Sequence, residues 1–297
     1  MMDRLTALNV FRHVAELQSF AEAGRRLGLS PAAISKNIAE LERHLSCRLI
    51  HRTTRRMALT EEGRLYYRQV AQVLDDLDEA DRSLFPMQAT PSGVLRVSAP
   101  TTVTLKLLSP AIPRFLAQYP QLTLELDLDD RRVDLVKEGY DLAIRGSDRL
   151  EDSSLIARKL TSLEHVLCGS PAYFQGAGIP TRPADLARHN CIQFSLSSHS
   201  DFWEFSRGSE RIGVSIDGRY KVGSSLAVRD ALLAGFGLSV IPRVYVEDDL
   251  LSGALVPVLT EWSLPLTEVY AVYGSRVHLA LKVRVFLDFV SRALGGQ

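Results

Sequence analysis

Between Ser19 and Leu45 the chain reads SFAEAGRRLGLSPAAISKNIAELERHL, and no other stretch limits the fold as much. Ser19 followed three residues on by Glu22 is a capping box, so a helix starts at Phe20. Gly28 accepts the left-handed conformation that ends it. Ser30 then caps a second helix with Pro31 at its first position, where the missing N–H costs nothing. Ile34, Ile38, Leu41 and Leu45 fall on one stripe of that helix. Its opposite face carries Ala32, Lys36 and Arg43, flanked by Ala33 and Ser35. Two short helices around a tight turn, the second with small and basic residues outward, make a helix-turn-helix. Its second helix suits the DNA major groove.

The neighbouring residues support that unit. Leu5, Leu8, Phe11 and Ala15 recur at helical spacing and predict a first helix packed behind the pair. After Leu45 the run CRLIHRTTRRMALTEEG reads as a two-stranded wing with Arg52, Arg55 and Arg56 at its tip. An isolated arginine run is ordinarily a solvated surface; beside a helix-turn-helix it is placed for phosphate contacts. Net charge is zero over the whole chain, but residues 1–60 hold ten Lys/Arg against five Asp/Glu. A basic head on a near-neutral body is the electrostatic footprint of DNA binding. Thr60, Glu61 and Glu62 start a long helix reaching about Phe85. On it Tyr66, Val70, Val73, Leu77, Ala80 and Leu84 alternate spacings of four and three, the seam of a coiled coil. The same stripe would serve for packing on a domain. PMQATPSG, residues 86–93, reads as a linker.

From Val94 onward, short strands alternate with helices, which predicts α/β layers with largely parallel sheets, and the roughly 200 residues suit two lobes. Strands are expected at Val94–Ser98, Leu122–Leu128, Asp141–Arg145, Glu164–Cys168, Cys191–Phe194, Arg211–Ile216, Leu238–Ile241 and Glu268–Tyr273. Helices are expected within Thr102–Gln118 and at Val133–Glu138, Leu226–Ala234 and Leu279–Leu294. Three strand ends are followed by hydroxyl residues: Thr101-Thr102, Ser195 running on to Ser198, and Ser224-Ser225, while Arg145 ends the strand DLAIR. Hydroxyls, helix N-termini and one guanidinium would suit a small polar or anionic ligand in a cleft. Singly, each is as well explained as a cap, a turn or a structural ion pair.

Several classes are excluded. No apolar run approaches the roughly 20 residues of a membrane span, and the start MMDRL lacks the apolar core of a secretion leader. Cys47, Cys168 and Cys191 are few, far apart and without a CxxC pair, which argues against disulfides and zinc and fits the reducing cytoplasm. The seven histidines show no ligand spacing. GxSxG, Walker and HExxH motifs are absent, so catalysis is not expected.

Together, LTALNVFRHVAELQSFAEAGRRLGLSPAAISKNIAELERHL, the RLIHRTTRRMALTEEG that follows, IRGS after a strand and GFGLSVIP resemble the LysR-type transcriptional regulators, over essentially the full length. The resemblance implies a winged helix-turn-helix over residues 1–60. A dimerising linker helix and hinge follow over 61–92. A two-lobed α/β effector domain of periplasmic-binding-protein type spans 93–297, with lobe I about 93–161 and 267–297 and lobe II about 162–266. It implies double-stranded DNA as partner, groove contacts from Pro31, Ala32, Ser35 and Lys36, and wing contacts from Arg52, Arg55 and Arg56. A homodimer or homotetramer and a small-molecule effector between the lobes are also implied, with no other cofactor. Thr101, Thr102, Arg145, Ser195 and Ser224 are the candidate effector contacts. Relatives often have Gln where this chain has Pro31, Pro where it has Ala32, and Gly in the turn occupied here by Ser46-Cys47. Gly24, inside the second helix, should weaken it by ~1 kcal/mol relative to Ala unless it permits close packing.

Overall fold

The structure, a computed structural model, describes residues 3–52, 57–83, 90–131, 133–147, 155–197, 200–274 and 279–295. By their contacts these form two compact units, Met1–Gly93 with Val136–Gly139, and Val94–Leu135 with Tyr140–Gln297.

In the first unit α1 (Arg4–Leu17), α2 (Phe20–Leu27) and α3 (Pro31–Leu45) are followed by β1 (Ile50–Arg52), β2 (Met57–Leu59) and the long α4 (Glu61–Ser83). The expected caps form. Ser19 Oγ accepts the Glu22 N–H at 3.2 Å and Ser30 Oγ the Ala33 N–H at 3.2 Å, while Gly28 ends α2 at φ 65°. Glu22 closes no reciprocal bond onto Ser19; its carboxylate pairs with Arg25 instead. Gly24 is a packing glycine, because a Cβ there would sit 2.7 Å from the Leu29 carbonyl oxygen. Ile34, Ile38 and Leu41 are fully buried against Val10, Phe11 and Val14. The buried face of α1 is Ala7, Val10, Phe11, Val14 and Ala15; of the expected stripe Phe11 and Ala15 are buried and Leu8 packs against the core, while Leu5, in the first turn, is 46% exposed.

The long helix also departs from a single seam. Tyr66, Val70 and Leu74 join the head's core, while Val73 is 58% and Leu77 43% exposed. The side chain of Ala80, and Leu84 as a whole, lie outside the described residues, as do residues 86–89 of the expected linker. Ser46, where relatives often have Gly, ends α3 in the left-handed region at φ 53°. Ser46→Gly is therefore expected to stabilise the head by about 1 kcal/mol, the steric cost of that conformation for a residue with a Cβ. A helix-monitored denaturation midpoint that fails to rise would refute this.

The second unit begins with β3 (Gly93–Ala99), α5 (Thr101–Val103) running into a π-helical turn (Thr104–Leu108), α6 (Ile112–Gln118), β4 (Leu122–Leu128), α7 (Leu135–Glu138), β5 (Leu142–Ser147) and β6 (Leu155–Leu163). It continues through β7 (His165–Gly169), α8 (Pro171–Ala177), a 3-10 turn (Pro183–Arg188), β8 (Gln193–Phe194), β9 (Phe202–Arg207), β10 (Glu210–Ser215) and β11 (Lys221–Val222). Then come α9 (Ser225–Leu233), β12 (Leu238–Pro242), α10 (Arg243–Ser252), β13 (Val256–Pro257), β14 (Thr267–Gly274) and α11 (Leu281–Gly295).

One sheet has the order β4-β3-β5-β14-β6, so the chain leaves it after β6 and returns a hundred residues later to insert β14 in its interior. β14 runs antiparallel to both neighbours, Ala271 opposite Ile144 and Arg158. The excursion builds a second lobe around β12-β7-β13, whose pairs are antiparallel, with the β8/β11 pair and the β9/β10 hairpin beside it. The expectation of largely parallel sheets is thus corrected: among described pairs with a stated direction, β3/β5 and β8/β11 are parallel and the others antiparallel. A strand re-entering a sheet beside the strand that left it runs the opposite way without a crossover helix. The expected strand Cys191–Phe194 reduces to β8 and a bridge from Cys191 to Leu238.

Cys168 and Cys191 are fully buried, and burial pushes both thiols up to about 12. Only Cys47, half-buried, is reachable. A thiol titration of native protein with a disulfide reagent should therefore count one reactive group, the other two appearing only on unfolding.

Candidate functional site

The first candidate surface is the outer face of α3. Burying Ile34, Ile38 and Leu41 forces Pro31, Ala32, Lys36 and Arg43 outward, all exposed, with Ser35 half-buried at the edge. Lys36 and Arg43 carry no ion pair among the described residues, so their charge is available to an incoming anion. Arg12, by contrast, is spent inside the unit, bridging Glu16 at 2.9 Å and Asp75 of α4 at 2.8 Å. The backbone of Arg52 ends β1 opposite Met57; its side chain, and Arg55 and Arg56 entirely, lie outside the described residues.

Two residues, Glu42 and Thr60, hold this surface in shape through partners that spacing alone does not reveal. Glu42, on the inner side of α3, accepts the N–H groups of Leu49 and Ile50 on one carboxylate oxygen at 2.9 and 3.2 Å. Thr60 donates its hydroxyl to the Arg48 carbonyl at 2.7 Å and its N–H to the Leu49 carbonyl at 3.0 Å. The same hydroxyl accepts the Gly63 N–H at 2.9 Å. Strand β1 is thereby pinned from both sides, to the exposed-face helix by Glu42 and to the long helix by Thr60. The Thr60 cap was legible locally; its partners twelve residues back were not.

The second candidate is a cavity of about 600 Å³ in the second unit, lined from both sheets and from the segments that cross between them. Leu163 and His165 come from the outgoing crossover, Pro265 and Thr267 from the returning one. His165 Nδ1 bonds the Pro265 carbonyl at 2.8 Å and Nε2 lies 3.4 Å from the Thr267 hydroxyl, joining the two strands at the cavity's edge. Of the residues picked from sequence, Thr102 and Arg145 line the cavity. Thr101, Ser195 and Ser224 do not, although Ser225, next to the last, does. Thr101 is turned to Asp130, whose carboxylate takes its N–H at 2.9 Å. Ser195 is exposed and tied to Val222 through its backbone, and Ser224 caps α9 by position without a side-chain bond. Ser198 lies outside the described residues.

Arg145 donates to the Ser98 hydroxyl at 3.1 Å and to the Ile144 carbonyl at 2.9 Å. Thr102, 3% exposed, has a hydroxyl without a hydrogen-bond partner. Burial raises the Tyr245 hydroxyl well above the ordinary phenol range, with the nearby Asp130 charge adding to the effect. Much of the wall is apolar or aromatic, including Phe194, Trp203 and Tyr245. Strand alternation in β9 turns Trp203 inward, a signal readable from sequence only once β9 itself is recognised. Among the described residues no cluster of three His, Cys, Asp or Glu could hold a metal ion.

Comparison with known proteins joins the two sites. Residues 5–64 match the family model of the bacterial regulatory helix-turn-helix proteins of the lysR family, and residues 88–295 that of the LysR substrate binding domain. The transcriptional regulator PtxR of Pseudomonas aeruginosa is 36% identical, across 100% of this chain and 96% of its own. Among solved structures, CrgA, a LysR-type transcriptional regulator from Neisseria meningitidis, is 31% identical with a TM-score of 0.63, covering 98% of each chain. The full-length Vibrio cholerae virulence activator AphB is 31% identical with a TM-score of 0.60, over 96% of this chain and 98% of its own.

Proposed function

Since this chain belongs to the LysR family, as a DNA-binding transcriptional regulator with an effector-binding substrate domain, we propose how its particular residues divide the work. Residues 1–60 read the DNA, 61–92 form the dimerising helix and hinge, and 93–297 bind the effector, with lobe I about 93–161 and 267–297 and lobe II about 162–266. Lys36 and Ser35 contact base edges, while Pro31 and Ala32 let the start of α3 approach the groove closely. Arg52, Arg55 and Arg56 grip phosphates or the minor groove.

The observation that carries this reading is the outer face of α3: small residues at its capped N-terminus and, one turn on, an exposed Lys36 without an ion pair among the described residues. Lys36→Ala is expected to weaken binding to the native operator by about 1–3 kcal/mol, the value of one good contact to a guanine edge. Fluorescence anisotropy with DNA from upstream of its own gene and with a scrambled duplex, across a salt series, separates the outcomes. An equal loss on both duplexes would refute a base contact and leave a phosphate contact.

Two copies reach two half-sites, and the exposed Val73 and Leu77 of α4 supply apolar surface for a second copy. The assembly is a homodimer or homotetramer. Its effector is a small molecule held by the cavity, with Thr102 and Arg145 as contacts. Occupancy biases the lobes between two arrangements, and so the placement of the DNA-binding heads. We assign no catalysis and no other cofactor to the chain. We place it in the cytoplasm, where DNA is reached; no described helix is long and apolar enough to cross a membrane.

A further inference from the structure

We infer that Phe202 sets the width of the entrance to the cavity, and that Gly213 is the positioning residue that seats its ring. This rests on the reading of the cavity as the effector site.

A lining residue that is also open to solvent stands where the cavity meets the outside. Among the described lining residues Gly146, Leu196, Phe202, Glu204 and Pro265 are exposed, and Phe202 is the largest of them. Deeper in the wall, Val228, Ile241 and Tyr245 are buried. An occupant that touches these has crossed the rim, so the bulkiest side chain there limits the cross-section that enters.

The ring is held in place by a glycine. Phe202 opens β9 opposite Ser215 of β10. Alternation puts it on the outer face of the hairpin with Glu204, while Trp203 and Phe205 face the core. Gly213 is its diagonal neighbour on that outer face. Gly213 is exposed and has no left-handed φ, so neither burial nor backbone conformation excludes a side chain. Space does. A Cβ at Gly213 would lie 2.1 Å from Phe202 Cζ and 2.8 and 3.0 Å from its two Cε atoms. The far end of the ring fills the room of the missing side chain. A glycine inside a strand weakens it, and here the ring covers the bare backbone. A benzyl group on an exposed strand face otherwise changes rotamer readily; this contact gives it one resting place. Leu196, the other large apolar residue of the rim, has no such bed. A Cβ at Gly223 would lie 3.4 Å from its Cγ and Cδ1, an ordinary contact.

The test places a thiol inside the cavity of the full-length protein. Ser225→Cys, at the start of α9 in the cavity wall, is combined with Cys47→Ser, which removes the reachable native thiol. Rates are measured with methyl and benzyl methanethiosulfonate. Both are uncharged, and each passes its methylthio or benzylthio group to the thiolate and releases methanesulfinate. Each rate is divided by that of N-acetylcysteine with the same reagent. The benzyl-to-methyl ratio should rise about tenfold in Phe202→Ala, the small end of the spread in on-rate among variants of one interface, and less in Phe202→Leu. Gly213→Ala, which unseats the ring, should change the ratio about threefold and have no effect in the Phe202→Ala background. Gly223→Ala should leave it unchanged. Tryptophan emission, to which Trp203 of the same strand contributes, checks that the hairpin stays folded. Phe202→Leu, which keeps an apolar cover on Gly213, carries the test if alanine unfolds it.

A ratio unmoved by loss of the ring in a folded hairpin would overturn the entrance assignment. An equal effect of Gly213→Ala with and without the ring would overturn the positioning role, the glycine then acting through the strand alone. A thiol at position 225 that neither reagent reaches in any variant would instead strike the reading of the cavity as a site open to small molecules.

Discussion

Adding one methyl group at Gly63 is expected to destabilise the DNA-binding unit by about 3 kcal/mol, the upper part of the range for overpacking a tight contact. The Cβ of Gly63→Ala would lie 2.0 Å from the Leu49 carbonyl oxygen and 2.9 Å from its carbon. Both atoms are backbone, so no side chain can swing aside to relieve the contact. Moving Leu49 would strain its bond from the Thr60 N–H and the bond its own N–H gives to Glu42. Moving α4 would break the Gly63–Thr60 bond that caps the helix.

The consequence for function is general. Strand β1 and α3 share Glu42, so binding to operator and to scrambled DNA should fall together, unlike the selective loss expected for Lys36→Ala. The readouts separate cleanly because both tryptophans, Trp203 and Trp262, belong to the second unit. Tryptophan fluorescence should report an unchanged transition, while far-ultraviolet circular dichroism shows the helices of the head melting earlier. An unshifted helical transition would mean that α4 can slide away from Leu49 without loss.

The second large effect lies at Lys282, where methionine should cost the effector domain about 3–5 kcal/mol, the penalty for stripping one partner from a buried ion pair. Lys282 is buried at the start of α11. It donates to the Asp141 carboxylate at 3.2 Å and to the Val94 carbonyl at 2.6 Å. Asp141, equally buried, also accepts the Arg96 N–H at 2.9 Å on the same oxygen. The cluster thus ties together the first strand of the domain, the entry to β5 and the closing helix.

Lys282→Met leaves Asp141 charged in a site with one backbone donor. Here the tryptophan-monitored transition should shift and the head's should not. Asp141→Asn in the same chain removes the orphaned charge while keeping an acceptor for Arg96. The double variant should therefore recover most of the loss, giving a coupling energy of the order of the single effects. A cost under about 1 kcal/mol for Lys282→Met would show that water reaches the pair, as at an exposed bridge.

How far the sequence carries differs between the two units. Ser19, Gly28, Ser30, Pro31 and, through its bond from Gly63, Thr60 act on backbone groups within four residues, so the starts of α2, α3 and α4 and the stop of α2 are legible from spacing. Leu5 and Val73 misled for one reason. Periodicity identifies an apolar face but not which of two adjacent faces finds a partner, and each lies just off the line that packs. In the effector domain, β6, β9, β11 and β13 escape the sequence reading, which also picks Thr101, Ser195 and Ser224 where Ser225, Phe194 and Trp203 line the cavity. A hydroxyl after a strand is a sound local signal for a turn. Whether the turn faces a cleft depends on the opposite lobe.

By itself the sequence determined the helix-turn-helix, its exposed Lys36 face and the basic charge concentrated around it. These follow from capping, backbone conformation and a 3.6-residue period, interactions that act over one or two turns. Only the tertiary structure decided that β14 inserts between β5 and β6, that Lys282 meets Asp141, that Glu42 holds the wing, and that the cavity walls are aromatic with Thr102 unpartnered. Those pairings join residues up to 141 positions apart. Their register is set by the burial of whole faces rather than by any local preference, and so no single stretch of the chain encodes them.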